Sequence, residues 1–263
     1  MIKFFRKIRK NLLSEGKTEK YFKYAIGEII LVVIGILIAL QVNNWNETRK
    51  IENNEIELFK NALIDLNQEN KDAQTQIRWF KHFQDIHFEI YRQTKDSSSF
   101  NPNLDYNTLI WTNIHRPLIQ ENFGNKVNGM SNENIQELFR DVIWREKLTS
   151  EAMNEWNDFK LNSLRPFLAK YGINNTKTSF NHKPYEFMSL DNIQLINYEK
   201  LRSKYGSMEF DQILYESRHK ASWVIHCLLN MEKANERLAS SLEYFINGEI
   251  EKSESINSLD SYY

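Results

Sequence analysis

Glu216 and His219 stand three apart in a stretch of helical periodicity, the spacing with which helical bundles hold a di-iron centre. Such a centre takes two Glu-x-x-His pairs and two further glutamates, and the sequence has no second pair. In the heptad register set by Leu214 and Ser217 both side chains point away from the seam, as does His226. They read as solvated surface. His82 and His87 are five apart and do not share a helix face; His87 falls on an apolar seam, where a hydrogen-bonded core histidine is expected. His115 and His182 read as loop residues with no cysteine, histidine or acid at ligand spacing. Cys227, the single cysteine, flanks a seam as a small buried hydrophobe and has no partner for an internal disulfide. Gly16-Lys17-Thr18 matches the end of a phosphate-binding loop, but Asn11 stands where that motif needs its first glycine. No catalytic residue, cofactor or metal is expected, and Trp111, Trp144 and Trp156 are the aromatics to inspect should the helices leave a pocket.

Charge is unevenly placed. Eight bases and two acids crowd into Met1 to Lys23, and the rest of the chain keeps 26 bases against 33 acids. A nucleic-acid partner is therefore not expected. Next comes AIGEIILVVIGILIALQV, Ala25 to Val42, with Glu28 its only formal charge. At 1.5 Å per residue it makes roughly 27 Å of helix, enough for a hydrocarbon core of about 30 Å. Tyr21 and Tyr24 at one end and Trp45 at the other suit interfacial anchors. The basic flank predicts a cytoplasmic N-terminus in the inner membrane and a periplasmic remainder. A cleaved signal peptide is the competing reading, against which stand the long apolar run and the absence of a small-x-small site near Ala39. Glu28 sits one turn from the cytoplasmic end, where snorkelling towards the headgroups competes with a proton or ion pathway.

The stretch FFRKIRKNLLSEGK, followed by YAIGEIILVVIGILIALQVNNWNE, resembles the N-terminal signature of a family of uncharacterised single-pass membrane proteins of Gram-negative bacteria. The resemblance implies a membrane anchor. It implies no reaction and supplies no functional residues.

Four prolines and eight glycines in 263 residues favour long helices. Ile56, Phe59, Leu63, Leu66, Asn70, Ala73, Ile77, Phe80, Gln84, His87 and Tyr91 form a heptad seam, with Asn70 a polar register-setting position. That helix should end near Lys95, with a loop from Asp96 to Pro102 and a shorter helix from Leu104 to Ile114. Ser131 is the expected N-cap of a second long helix, buried through Ile135, Leu138, Val142, Leu148, Met153, Trp156, Phe159 and Leu164, kinked by Pro166 and stopped by Gly172. A loop-rich patch from Ile173 to Ser189 leads to a short helix near Asn192 to Lys204. The third seam runs Phe210, Leu214, Ser217, Ala221, Val224, Leu228, Met231, Asn235, Leu238, Leu242 and Phe245.

The expected fold is all-α, a single N-terminal transmembrane helix followed by an elongated antiparallel helical bundle. Its segments are a basic tail (1–23), the membrane helix (24–45), a periplasmic domain (46–247) and a disordered tail (248–263). The expected partners are the lipid bilayer and either another protein or a second copy of the chain. Glu28, Gly35 and Val42 fall seven apart, with Ala39 beside them, and Gly35 and Ala39 offer a small-x-x-x-small surface for self-association of the anchor. A non-enzymatic membrane-anchored scaffold is the first functional expectation. A periplasmic ligand sensor acting through a membrane partner is the second.

Overall fold

The structure, a computed structural model, describes residues 18–96, 101, 104–181 and 194–260. The expected cytoplasmic tail, most of the loop after Asp96, and His182 lie outside the described residues. Those described are all-α, joined by a single isolated bridge between Asn174 and Ile196. The chain divides into two units, Met1–Leu58 and Phe59–Tyr263.

Helix α1 spans Thr18–Asp96. It contains no proline, and its two glycines, Gly27 and Gly35, both fall in the apolar stretch. The Asn43-Asn44-Trp45-Asn46 run, a possible break by composition, is helical throughout. In the first unit α1 is long and apolar enough to cross a membrane, and none of its apolar window is buried.

The second unit is built on the remainder of α1, on α2 (Leu118–Phe123), α3 (Glu133–Phe159), α4 (Arg165–Lys170), α5 (Thr176–Phe180), α6 (Tyr198–Arg202) and α7 (Met208–Asp260). The periodicity of α7 buries what it should: every seam residue from Phe210 to Leu242 is buried, and only Phe245 is half-exposed. Hydrogen bonds from Asn235 to Asn70 (3.0 Å) and between Ser217 and His87 (3.3 Å) join α7 to α1. Residue numbers rise along one helix as they fall along the other. Two pairs of polar seam positions thus meet each other, which fixes the register of α7 on α1.

α1 departs from its expected seam. Leu63 and Gln84 are half-exposed and Tyr91 is exposed, whereas Ala62, Glu69, Phe83, Ile86 and Ile90 are buried. The cause is a second neighbour. Phe80 and Phe83 pack edge-on to Trp156 of α3, with centroids at 5.3 and 4.6 Å, so α1 buries a wider face than a two-stranded seam requires.

α3 starts one residue later than expected. Asn132, not Ser131, is its N-cap, its side chain accepting from the Ile135 amide at 3.2 Å. Pro166 lacks the amide that would bond back one turn, and the chain answers with a π turn at Lys160–Leu164 before α4. Gly172 ends α4 at φ 61°, where a Cβ would be strained.

The expected helix from Leu104 to Ile114 is instead a single 3-10 turn, Tyr106–Leu109, followed by chain without regular secondary structure to Pro117. We refer to residues 104–120 as the strap. The tail expected to be disordered continues α7 to Asp260 instead; after Gly248 the sequence offers neither glycine nor proline to stop a helix.

Candidate functional site

The anchor residues are placed by α1 alone. Ile26, Ile29 to Ile34, Ile36 to Ile38, Leu40 and Val42 are all exposed, in the range of 47 to 66%. A Cβ built on Gly35 meets nothing within 4 Å, so a second backbone can approach there. Ala39 is exposed with it. Trp45 is 60% exposed, with the Arg49 guanidinium 5.7 Å from its ring. Glu28 is half-exposed. Tyr21 and Tyr24 fall within the helix, and their side chains lie outside the described residues. A helix satisfies its own backbone, so this segment needs only an apolar surrounding to be stable, which no part of the described chain provides.

Within the second unit the strap poses the opposite problem, because irregular chain packed on helices must have its polar groups met by side chains. Lys160, fully buried at the head of the π turn, donates to the Thr108 and Trp111 carbonyls at 2.6 and 2.7 Å. Phe83, Trp156 and Trp79 enclose its amine, at 4.2, 4.9 and 5.4 Å from the ring centroids. Arg165 takes the Ile110 carbonyl with two nitrogens, at 2.6 and 3.0 Å. Asn157 grips both polar groups of Asn113, accepting from its amide at 3.1 Å and donating to its carbonyl at 2.7 Å. At the far end Glu146, also fully buried, accepts from the Ile119 and Gln120 amides at 2.7 Å each. Glu69 accepts from Leu118 at 3.4 Å and from Asn235 at 2.7 Å.

Burial shifts these groups in opposite senses. It lowers Lys160 to about 6, with the nearby Arg165 charge adding to the effect. It raises Glu146 to about 9 and Glu69 in the same direction; the two carboxyls hydrogen-bond to each other and share a proton at neutral pH. The Lys160 amine donates to two backbone carbonyls and both Glu146 oxygens accept from backbone amides. Lys160, Glu146 and Glu69 are not singled out by type or spacing; the available signal is a polar residue at an apolar position of a helical segment.

A different place has room. Between α1 and the start of α7 lies a cavity of about 450 Å³ lined by His87, Phe88, Tyr91, Asp211, Tyr215 and Arg218 among others. His87 is 2% exposed and reaches Ser217 through Nε2, while Nδ1 has no partner. Burial, first, and then the proximity of Lys160 push its imidazole well below the ordinary histidine range. Asp211 Oδ1 is likewise buried without a partner.

The remaining residues singled out by type are dispersed. Glu216, His219 and His226 are exposed, and among the described residues no three His, Cys, Asp or Glu side chains converge as metal ligands. His115 sits in the strap with its Nε2 buried and unpartnered, its pKa lowered by burial to about 4. Cys227 is buried, and burial raises its thiol to about 11. Trp156 is core, Trp111 half-exposed, and Trp144 is 51% exposed with Arg145 against its ring.

A family of unknown function, DUF6090, matches residues 28–98 of the chain. That stretch begins inside the apolar segment and takes in α1 from there to Asp96. No curated protein and no solved structure matches.

Proposed function

We propose that the chain is a single-pass membrane protein of the bacterial inner membrane whose outer domain works by binding rather than by catalysis. One observation carries this reading: an apolar helical stretch from Ile26 to Val42 that nothing in the described chain covers, in a protein whose other unit closes its own core. A helix buried in a soluble fold would be covered. The eight bases of residues 1–23 argue for a cytoplasmic N-terminus and a periplasmic domain, which we read as an elongated antiparallel bundle. Self-association of the anchor through Glu28, Gly35, Ala39 and Val42 belongs to the same proposal, supported by the open approach at Gly35. The scaffold reading rests on exposed aromatic and aliphatic side chains such as Ile64, Trp223, Leu229 and Tyr244, a surface suited to a protein partner.

The test is fractionation together with a fusion. The protein should stay with the membrane through an alkaline carbonate wash, and a periplasm-dependent reporter fused after Tyr263 should be active. Release into the wash would defeat the anchor, and an inactive reporter would defeat the topology. A second reading, ligand sensing, is favoured by the cavity at His87 and its unpartnered polar atoms.

A further inference from the structure

The cavity between α1 and α7 has the composition of a binding site for a small zwitterion. Three of its lining rings are exposed although they belong to long, well-packed helices: Phe88 at 56%, Tyr91 at 45% and Tyr215 at 61%. Large apolar rings left in the open around a concavity are the usual lining of a ligand site, and 450 Å³ lies within the range such sites occupy. Its charged groups are one acid and one base on the same helix. Asp211 and Arg218 are seven residues apart, two turns of α7, or about 10.5 Å of rise on one face. The Arg218 guanidinium lies 6.0 Å from the Phe88 ring, at the end of the cavity away from Asp211.

The floor is unsatisfied. Asp211 Oδ1 and His87 Nδ1, on two of the lining residues, are both buried without a hydrogen-bond partner within the protein, which is uncommon for buried polar atoms. The other nitrogen of His87 is engaged by Ser217 at 3.3 Å.

We propose that this cavity binds an amino acid or dipeptide carrying an apolar or aromatic side chain, its ammonium against Asp211, its carboxylate against Arg218 and its side chain among Phe88, Tyr91 and Tyr215. The opposite charges at the two ends select against a simple cation or anion, since either would leave one end unpaired. The rings supply an apolar surface for the side chain and contribute little to choosing which end goes where. This inference deepens the sensing reading and rests on it, but it does not depend on the anchor.

The experiment is calorimetric titration of the full chain in detergent micelles with four probes: phenylalanine, alanylphenylalanine, phenethylamine and phenylpropionate. At least one zwitterion should bind saturably at one site per chain, and the two singly charged probes at least tenfold more weakly. Asp211→Asn should weaken the zwitterion and phenethylamine by tenfold or more while sparing phenylpropionate, and Arg218→Gln should weaken the zwitterion and phenylpropionate while sparing phenethylamine. The thermal transition of each variant, measured alongside, checks that the fold is kept. No saturable binding by either zwitterion, or equal affinity for all probes, overturns the site; so does indifference to both substitutions. Failure of the sensing role alone looks different: binding persists, but the ligand leaves the crosslinking pattern of the protein in native membranes unchanged.

Discussion

The two ends of the strap are held by opposite means. From Thr108 to Ile114 the backbone turns carbonyls inward, and the helices meet them with a lysine, an arginine and two side-chain amides. From Leu118 to Gln120 it turns amides inward, and they are met by two carboxyls. The polarity of the backbone decides the sign of the buried group. Each group is expensive to bury alone, and each is tolerated because its backbone partners have none of their own: the carbonyls belong to chain outside α-helix, and the amides are the first-turn donors of α2 that no helix can pair internally. The carbonyl end is held by bonds from a cage of rings, whereas the amide end is held by a proton-sharing pair, so the two should fail differently.

Lys160 offers the largest effect. Lys160→Ala strands the Thr108 and Trp111 carbonyls and empties the space among Phe83, Trp79 and Trp156, for an expected loss of about 3–5 kcal/mol in denaturant unfolding. Lys160→Met keeps the volume and loses only the bonds, so it should fall short of that by the packing share. Equal losses for the two variants would show that the rings contribute nothing at this end.

Glu146→Gln comes next and separates the ends by pH. A glutamine accepts through one atom only, so one of the Ile119 and Gln120 amides is left facing a donor, at a cost of about 1–3 kcal/mol. The pH profile is the sharper reading. With its folded pKa lowered from 10.5 to about 6, Lys160 is uncharged in the folded chain and charged in the unfolded one between those values, so its contribution to stability rises with pH across that window. Glu146, raised from 4.5 to about 9, keeps a proton that the unfolded chain has released, and its contribution falls as pH rises between those values. From about pH 6 to 9 the two slopes, each about 1.4 kcal/mol per pH unit, oppose each other and stability should be nearly flat. In Glu146→Gln the profile should tilt upward with pH, because Lys160 acts unopposed. Unfolding free energies at pH 6.5, 7.5 and 8.5 decide this: a parent profile that already tilts upward as the variant's does would show that the pair does not hold its proton, and a flat profile in the variant would show that Lys160 is not the opposing group.

What the sequence makes legible divides along the same line. The seam of α7 can be read nearly residue by residue, because apolar spacing reports burial directly when a helix presents one face. Asn70 and His87 are readable as polar residues in a seam, though not that their partners are Asn235 and Ser217. α1 is half-legible, since its seam assumes one neighbour and the fold gives it two. The strap is not legible at all. Leu104, Leu109 and Ile110 suggest a helix locally, and what draws this stretch out is the set of side chains waiting on α1, α3 and α4, 44 to 55 residues away for Asn157, Lys160 and Arg165. The cavity is likewise invisible in advance, because Asp211 and Arg218 look like ordinary surface charges until the turn of α1 carrying Phe88 and Tyr91 is set beside them.

The smallest expected effect is the one that best isolates burial. Gln76 belongs to the carbonyl end, donating to the Ile114 carbonyl at 3.3 Å and accepting from the Asn113 side chain at 2.6 Å. It thus makes as many bonds to the strap as the Lys160 amine does. It differs in being half-exposed, beside an Ile114 side chain that is 83% exposed. If the hold on the strap scaled with the number of bonds, Gln76→Ala would cost as much as losing the two bonds of Lys160. Water can reach the Ile114 carbonyl, however, and an acceptor that water can satisfy carries only the net value of a hydrogen bond, about 0.5–1.5 kcal/mol. The expected loss therefore lies at or below that range, well under the cost of Lys160→Met, and should leave the pH profile unchanged because Gln76 does not titrate. A Gln76→Ala loss equal to that of Lys160→Met would mean that bond count, not exclusion of water, fixes the carbonyl end.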